Sequence, residues 1–246
     1  MKYAFVLLLC ILILLFYTNC KKEPTTIKES SKKEVIKSKF AKNYPDFNPQ
    51  MLQNILEADL QNDSILQPFY ATVKNTPIWV HDTLDIKSLN ELIDILNNVD
   101  EHGLSPELFS ISKIRAITDS IDAGVYTNSL DTLYSKISSL ERISTNAIIK
   151  YVSGMRFGFL KPANVYAKDY DIVITVPDSL FLDDLYNDIR KNPIQPLLDS
   201  HPKDSIYIRL QEEYRLLEKV KEQGFKIIAS GNATYKLGDR SKHISE

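Results

Sequence analysis

LDTLYSKISSLERISTNAIIKYV, residues 130–152, decides the fold. Leu130, Leu133, Tyr134, Ile137, Leu140, Ala147, Ile148 and Tyr151 recur at intervals that place them on one face of an α-helix, not at the every-second-residue spacing of a strand. This is the longest helix the chain predicts, and the segments on either side repeat its pattern.

Upstream, Asn48-Pro49 is a helix start, a capping residue followed by Pro at the first helical position. Met51, Leu52, Ile55, Leu56 and Leu60 follow on one face, and Ile65 to Val73 forms a second stretch leading into Pro77-Ile78-Trp79-Val80. Ser88 is expected to cap a helix with Leu89, Leu92, Ile93, Leu96 and Val99 as its apolar stripe, and Gly103 to end it in the left-handed conformation. Ser105-Pro106-Glu107 restarts a helix striped by Ile111, Ile114, Ile117 and Ile121. Downstream, Asp171 to Val176 (DIVITV) is the best strand candidate, β-branched and bounded by Pro177. Ser179 opens a helix through Leu182, Leu185 and Ile189. A last one runs from about Asp204 to Gln223, with Ile206, Tyr207, Leu210, Tyr214 and Leu217 in register and Gly224 as its stop. The fold class expected is mainly α, a compact multi-helix domain with at most a few short strands.

The first residues carry a different signal. Met1-Lys2 is followed by an unbroken apolar run, Ala4 to Phe16, of 13 residues. That is shorter than the roughly 20 a spanning helix needs, and fits the apolar region of an export signal. Tyr17-Thr18-Asn19-Cys20 and then Lys21-Lys22-Glu23 complete what resembles a lipoprotein signal, in which Cys20 becomes the first mature residue and carries lipid on its thiol. Relaxed signals of this kind are similar to those of Bacteroidetes; Tyr17 and Asn19 stand where Leu and a small residue are usual. The only other thiol, Cys10, lies inside the signal, so the mature body has neither a disulfide framework nor a cysteine nucleophile or metal ligand.

Charge divides the chain. Lys21 to Lys42 holds eight Lys against three Glu, whereas Asn43 to Glu246 holds 21 basic against 29 acidic residues. The first part reads as a disordered Lys/Ser-rich tether, with contact to anionic lipid or wall polymer as its alternative. The acidic body argues against nucleic acid as a partner. The organisation expected is a signal peptide over 1–19, the tether over 20–42, a helical domain over 43–224 and a further segment over 225–246.

No catalytic constellation emerges. His81, His102, His201 and His243 include no pair at metal-ligand spacing. His102, one residue before Gly103, is read as a cation favoured by a helix C-terminus. There is no G-x-S-x-G, and the Gly pairs Gly154/Gly158 and Gly231/Gly238 open no phosphate loop. Asp183-Asp184 and Glu212-Glu213 are read as solvated helix faces, and Trp79 as a core or groove anchor. No catalytic residue, metal or cofactor is expected, and the binding residues stay unknown.

The order of motifs then becomes recognisable. Phe69-Tyr70, Pro77-x-Trp79 and His102-Gly103-Leu104-Ser105-Pro106 resemble the scaffold domain of large periplasmic L,D-transpeptidases with a YkuD-type catalytic domain. Lys150-Tyr151-Val152-Ser153-Gly154, Lys161-Pro162, and the run Pro202, Tyr207, Leu210, Tyr214 continue the likeness from about Asp46 onward. Gly231, Lys236, Gly238 and Asp239 resemble the opening of a peptidoglycan-binding module, so 225–246 is expected to be the start of such a segment, cut short. The family's Ser-His-Gly-Cys motif has no counterpart here, and no catalytic residue carries over.

The resemblance implies a non-catalytic, lipid-anchored envelope protein associated with peptidoglycan remodelling, with peptidoglycan or an envelope transpeptidase as partner. It equally admits the N-terminal fragment of an L,D-transpeptidase whose cysteine domain lies outside this chain. A third reading is an unrelated helical envelope lipoprotein that binds a ligand or partner. The lipoprotein reading places the chain on a membrane through its lipid, facing the periplasm or on the outer membrane; a plain cleaved signal peptide or an uncleaved short anchor is the alternative reading of the same residues.

Overall fold

The computed structural model describes residues 38–160, 175–224, 234 and 236–240. Among them are nine α-helices: α1 (Lys39–Asn43), α2 (Pro49–Leu60), α3 (Leu66–Thr72), α4 (Ile86–Asn97), α5 (Ile111–Asp122), α6 (Leu130–Phe157), α7 (Ser179–Lys191), α8 (Gln195–Asp199) and α9 (Ser205–Gln223). Two 3-10 turns, Val99–His102 and Pro106–Phe109, join α4 to α5. No strand occurs among the described residues, and an isolated antiparallel bridge joins Val80 to Leu84. The mainly α expectation holds.

Local chemistry sets the helix starts. Five helices begin on Ser38, Asn48, Asp85, Asp178 or Asp204, whose side chains accept first-turn N–H groups, supplying partners the helix cannot provide itself. The 28-residue α6 is the axis of the fold, and α2, α3, α5 and α8 all pack against it. Leu133, Ile137, Leu140, Ile148 and Tyr151 of α6 have no exposed surface, nor have Leu52 and Leu56 of α2 or Ile114 and Ile121 of α5. Each such side chain contributes about 1.5–3 kcal/mol by leaving water.

Several boundaries differ from the sequence reading. Helix α4 starts at Ile86, capped by Asp85, which accepts from the Ser88 N–H. Both residues have capping side chains, and it is the Asp85 carboxylate that takes a first-turn N–H. Gly103 is left-handed as expected (φ 71°), but it closes the 3-10 turn Val99–His102 rather than α4. The helix expected at Pro106 is a 3-10 turn that stops at Ser110, itself left-handed (φ 56°), before α5 begins. Regular structure starts ahead of the expected boundary at 43: α1 begins at Lys39 and buries Phe40. The strand candidate 171–176 falls on residues 171–174, outside the described residues; Thr175 and Val176 have no regular structure. The expected signal, Cys20 and residues up to 37 also lie outside the described residues, as does most of 225–246.

Helix α9 runs where the sequence placed it, with its apolar face uncovered. Its stripe is in helical register, yet no residue of the helix is buried. Ile206, Leu210 and Leu217 are all more than 60% exposed. Periodicity shows that a helix has an apolar face; it does not supply the surface that covers it.

One tight contact limits substitution on α6. A Cβ at Gly154 would fall far inside contact distance of the Phe159 ring, which packs edge-on against Phe109 at 6.0 Å. Alanine improves helix propensity by about 1 kcal/mol, against an overpacking cost of roughly 1–3 kcal/mol. Gly154→Ala should therefore destabilise the protein by about 1 kcal/mol in urea unfolding. Adding Phe159→Ala should abolish that effect of the alanine, measured within the Phe159→Ala background. If Gly154→Ala instead stabilises the native chain, the Phe159 contact does not constrain the helix.

Candidate functional site

Among the described residues, two polar clusters and one groove stand out as candidate sites. The first cluster is built on Glu141, a carboxylate on the inward face of α6 with no exposed surface. Its Oε1 accepts the backbone N–H groups of Trp79 (2.8 Å) and Val80 (3.0 Å). Its Oε2 accepts the N–H of Ile78 (2.9 Å) and the Tyr70 hydroxyl (2.9 Å). Thr145, one turn on, takes the Trp79 indole N–H at 3.2 Å and pairs with the Tyr70 hydroxyl at 2.8 Å. Burial pushes the Glu141 carboxyl up, to about 7, while the four donors pull the other way. Burial and the adjacent Glu141 also push the Tyr70 phenol well above its ordinary range.

A perturbed carboxyl in a cleft would suggest catalysis, but this one is sealed, and all four of its partners are fixed groups of the fold. Its work is structural. It gathers three consecutive N–H groups of the loop between α3 and α4 that no strand partner satisfies. Phe69-Tyr70 and Pro77-x-Trp79 thus converge on one acid that no sequence motif had flagged. A charged residue inside the apolar stripe of α6 was the available signal.

The second cluster joins residues about a hundred positions apart. His102 Nδ1 lies 2.7 Å from the Tyr207 hydroxyl, and Gln211 Nε2 lies 3.3 Å from the same nitrogen. His201 Nε2 pairs with the Tyr151 hydroxyl at 2.9 Å, and the two imidazoles stand 5.1 Å apart. Burial, and then His201, lower the pKa of His102. The ring is a half-buried partner for α9 whose charged form is disfavoured by burial and by His201, which works against the helix-end dipole that would favour a cation. Arg215 and Glu101 add an exposed ion pair at 3.0 Å, of small value at the surface. These polar contacts hold α9 to the Val99–His102 turn. Two imidazoles and two phenols include no nucleophile paired with a base and oriented by a third group. Among the described residues no group of three or more His, Cys, Asp or Glu could hold a metal.

The groove lies beside this cluster. It has a volume of about 830 Å³ and runs between the C-terminal end of α6, α7 and α8. Val152, Met155, Phe181, Leu185 and Pro196 form its apolar surface, and Asp178, Asp184, Asp188 and Asp199 its acidic one. Ser200 and Pro202, flanking His201, form one end. Asp184 is exposed, as expected, but it lines a concavity rather than an open face. Trp79 is fully buried in the core. His81 and the Glu212-Glu213 pair are exposed and outside all three places, and His243 lies outside the described residues.

Among the described residues these features define a helical protein organised on one long central helix, with one sealed polar hub, one half-buried polar cluster and an open groove. The chain belongs to the scaffold-domain family: residues 64–213, more than half of it, match the family described as Scaffold domain. No curated protein and no solved structure matches it. The match spans α3 to the middle of α9, and so takes in both polar clusters. No described helix is long and apolar enough to cross a membrane.

Proposed function

We propose that this protein is a non-catalytic, lipid-anchored component of a bacterial cell envelope that helps hold or position a peptidoglycan-remodelling enzyme. The observation that carries the reading is the scaffold-domain match over residues 64–213. It coincides with the motif series that resembles the scaffold of L,D-transpeptidases. The described residues support it in a second way: their perturbed groups are engaged in holding loops and helices together, not in presenting a nucleophile. The lipoprotein signal ending at Cys20 supplies the anchor, and a covalent lipid of more than one chain would hold a folded body stably at a membrane-facing wall layer.

Two measurements test this. Expressed in a bacterium with a lipoprotein-processing pathway, the native chain should partition with membranes, whereas Cys20→Ser should yield an unprocessed or soluble form of altered gel mobility. Unchanged partition and mobility would refute lipidation at Cys20. Separately, the purified protein should sediment with peptidoglycan sacculi or retain an envelope transpeptidase; failure at both would sink the scaffolding role while leaving the anchor standing.

A further inference from the structure

We infer that the groove between α6, α7 and α8 is a docking site for a cationic, amphipathic peptide segment, one that sets Lys or Arg beside large apolar side chains. This goes beyond the scaffolding role, because it names a surface and the chemistry of what binds it, and it does not depend on placement in the envelope.

The floor of the groove comes first. Val152 and Leu185 are buried within the core and reach the groove with part of their surface, while Phe181 and Met155 are half-buried. Leu180, at the lip, is 73% exposed, an apolar side chain standing in water at the edge of an apolar concavity. A ligand with large apolar side chains gains by covering this surface, at roughly 25 cal/mol per Å² removed from water.

Charge then selects among apolar ligands. Four aspartates line the groove against two cations, Arg156 and Lys191. Both cations are already engaged. Lys191 pairs with Asp188 at 3.0 Å, and the Arg156 guanidinium lies over the rings of Phe181 (5.3 Å) and Phe157 (5.8 Å). Asp178 and Asp199 have only neutral donors, the Phe181 N–H and the Gln195 amide. Asp184 makes no hydrogen bond or ion pair among the described residues. A concavity with low-dielectric walls and an excess of one sign concentrates the opposite charge. An uncharged apolar segment would desolvate these carboxylates without compensation, and an acidic one would be repelled. A segment carrying both Lys or Arg and apolar side chains satisfies both surfaces at once, and a groove of this volume is of the size that seats a few residues.

The test uses the full chain in mild detergent and three blocked hexapeptides: lysine alternating with leucine, glutamate alternating with leucine, and lysine alternating with serine. Calorimetry against empty micelles should show the lysine–leucine peptide binding at least tenfold more tightly than either counterpart. Asp184→Asn/Asp188→Asn, two exposed positions, should remove the tenfold preference for lysine over glutamate while leaving the melting curve in place. Leu180→Ser should weaken the lysine–leucine peptide several-fold without changing the lysine–serine peptide. The inference is overturned if no peptide binds beyond the micelle blank, if the glutamate peptide binds as well as the lysine one, or if the aspartate variant keeps the preference.

Discussion

Glu141→Ala is expected to lower the unfolding free energy by about 4 kcal/mol at pH 5, and Glu141→Gln by about 2 kcal/mol. The alanine removes the acceptor for three loop N–H groups and the Tyr70 hydroxyl. Each buried donor left without a partner costs about 1–3 kcal/mol, and release from burying an ionisable group offsets part of the sum. Glutamine keeps one oxygen, which can still accept from Trp79 and Val80. Its amide nitrogen, facing the Ile78 N–H, cannot.

The pH dependence has a definite sign. The folded-state pKa of Glu141 is raised from 4.5 to about 7, so the fold binds this proton more tightly than the unfolded chain does. The resulting stability is fully present below about 4.5 and is lost as pH rises through about 7, amounting to about 3 kcal/mol. The difference in stability between the native chain and Glu141→Gln should therefore be larger at pH 5 than at pH 8. Taking that difference cancels the contributions of groups common to both chains, His102 included. Urea unfolding at the two pH values measures it. A difference that grows with pH would mean that the four donors outweigh burial and that Glu141 is held as a carboxylate throughout. An alanine variant within 0.5 kcal/mol of the native chain would show that the loop does not depend on this acid.

The helices were legible in the sequence because their apolar residues fall at helical spacing and their starts carry Asn, Asp and Ser. What hid was whatever depends on a partner distant in the chain. Glu141 stands out only as a charged residue inside the apolar stripe of α6, and what it holds is not visible until residues 78–80 are seen to lie against it. His102 had an ordinary local explanation and His201 carried no signal, and their proximity follows only from the packing of α8 on α6, which brings the 200–202 turn beside the Val99–His102 turn. The stripe of α9 was legible as an apolar face, and its exposure was not, since register says which side is apolar and nothing about cover. The groove was invisible for the same reason: Asp184 on α7 and Asp199 on α8 belong to separate helices whose approach no local pattern encodes.

Trp79→Ala is the second large effect, an expected loss of roughly 3–5 kcal/mol. Trp79 is the chain's one tryptophan and has no exposed surface. Its backbone N–H and its indole N–H are tied to Glu141 and Thr145 respectively. Truncation keeps the first bond and deletes the second, so the loss comes mainly from the cavity and from ring contacts. Trp79→Phe separates these contributions: it retains most of the ring volume, drops the indole donor, and should cost about 1–2 kcal/mol. In the native protein the indole is also a built-in reporter. Its fluorescence should be that of a buried ring and should shift to the red in the same urea transition that melts the helices, because the loop and α6 are joined through Glu141. A near-neutral melting shift in Trp79→Ala, or a fluorescence transition well ahead of helix loss, would mean that the 77–80 loop opens independently. Glu141 would then be a local clasp, and the α3–α4 loop would not be part of the core that α6 organises.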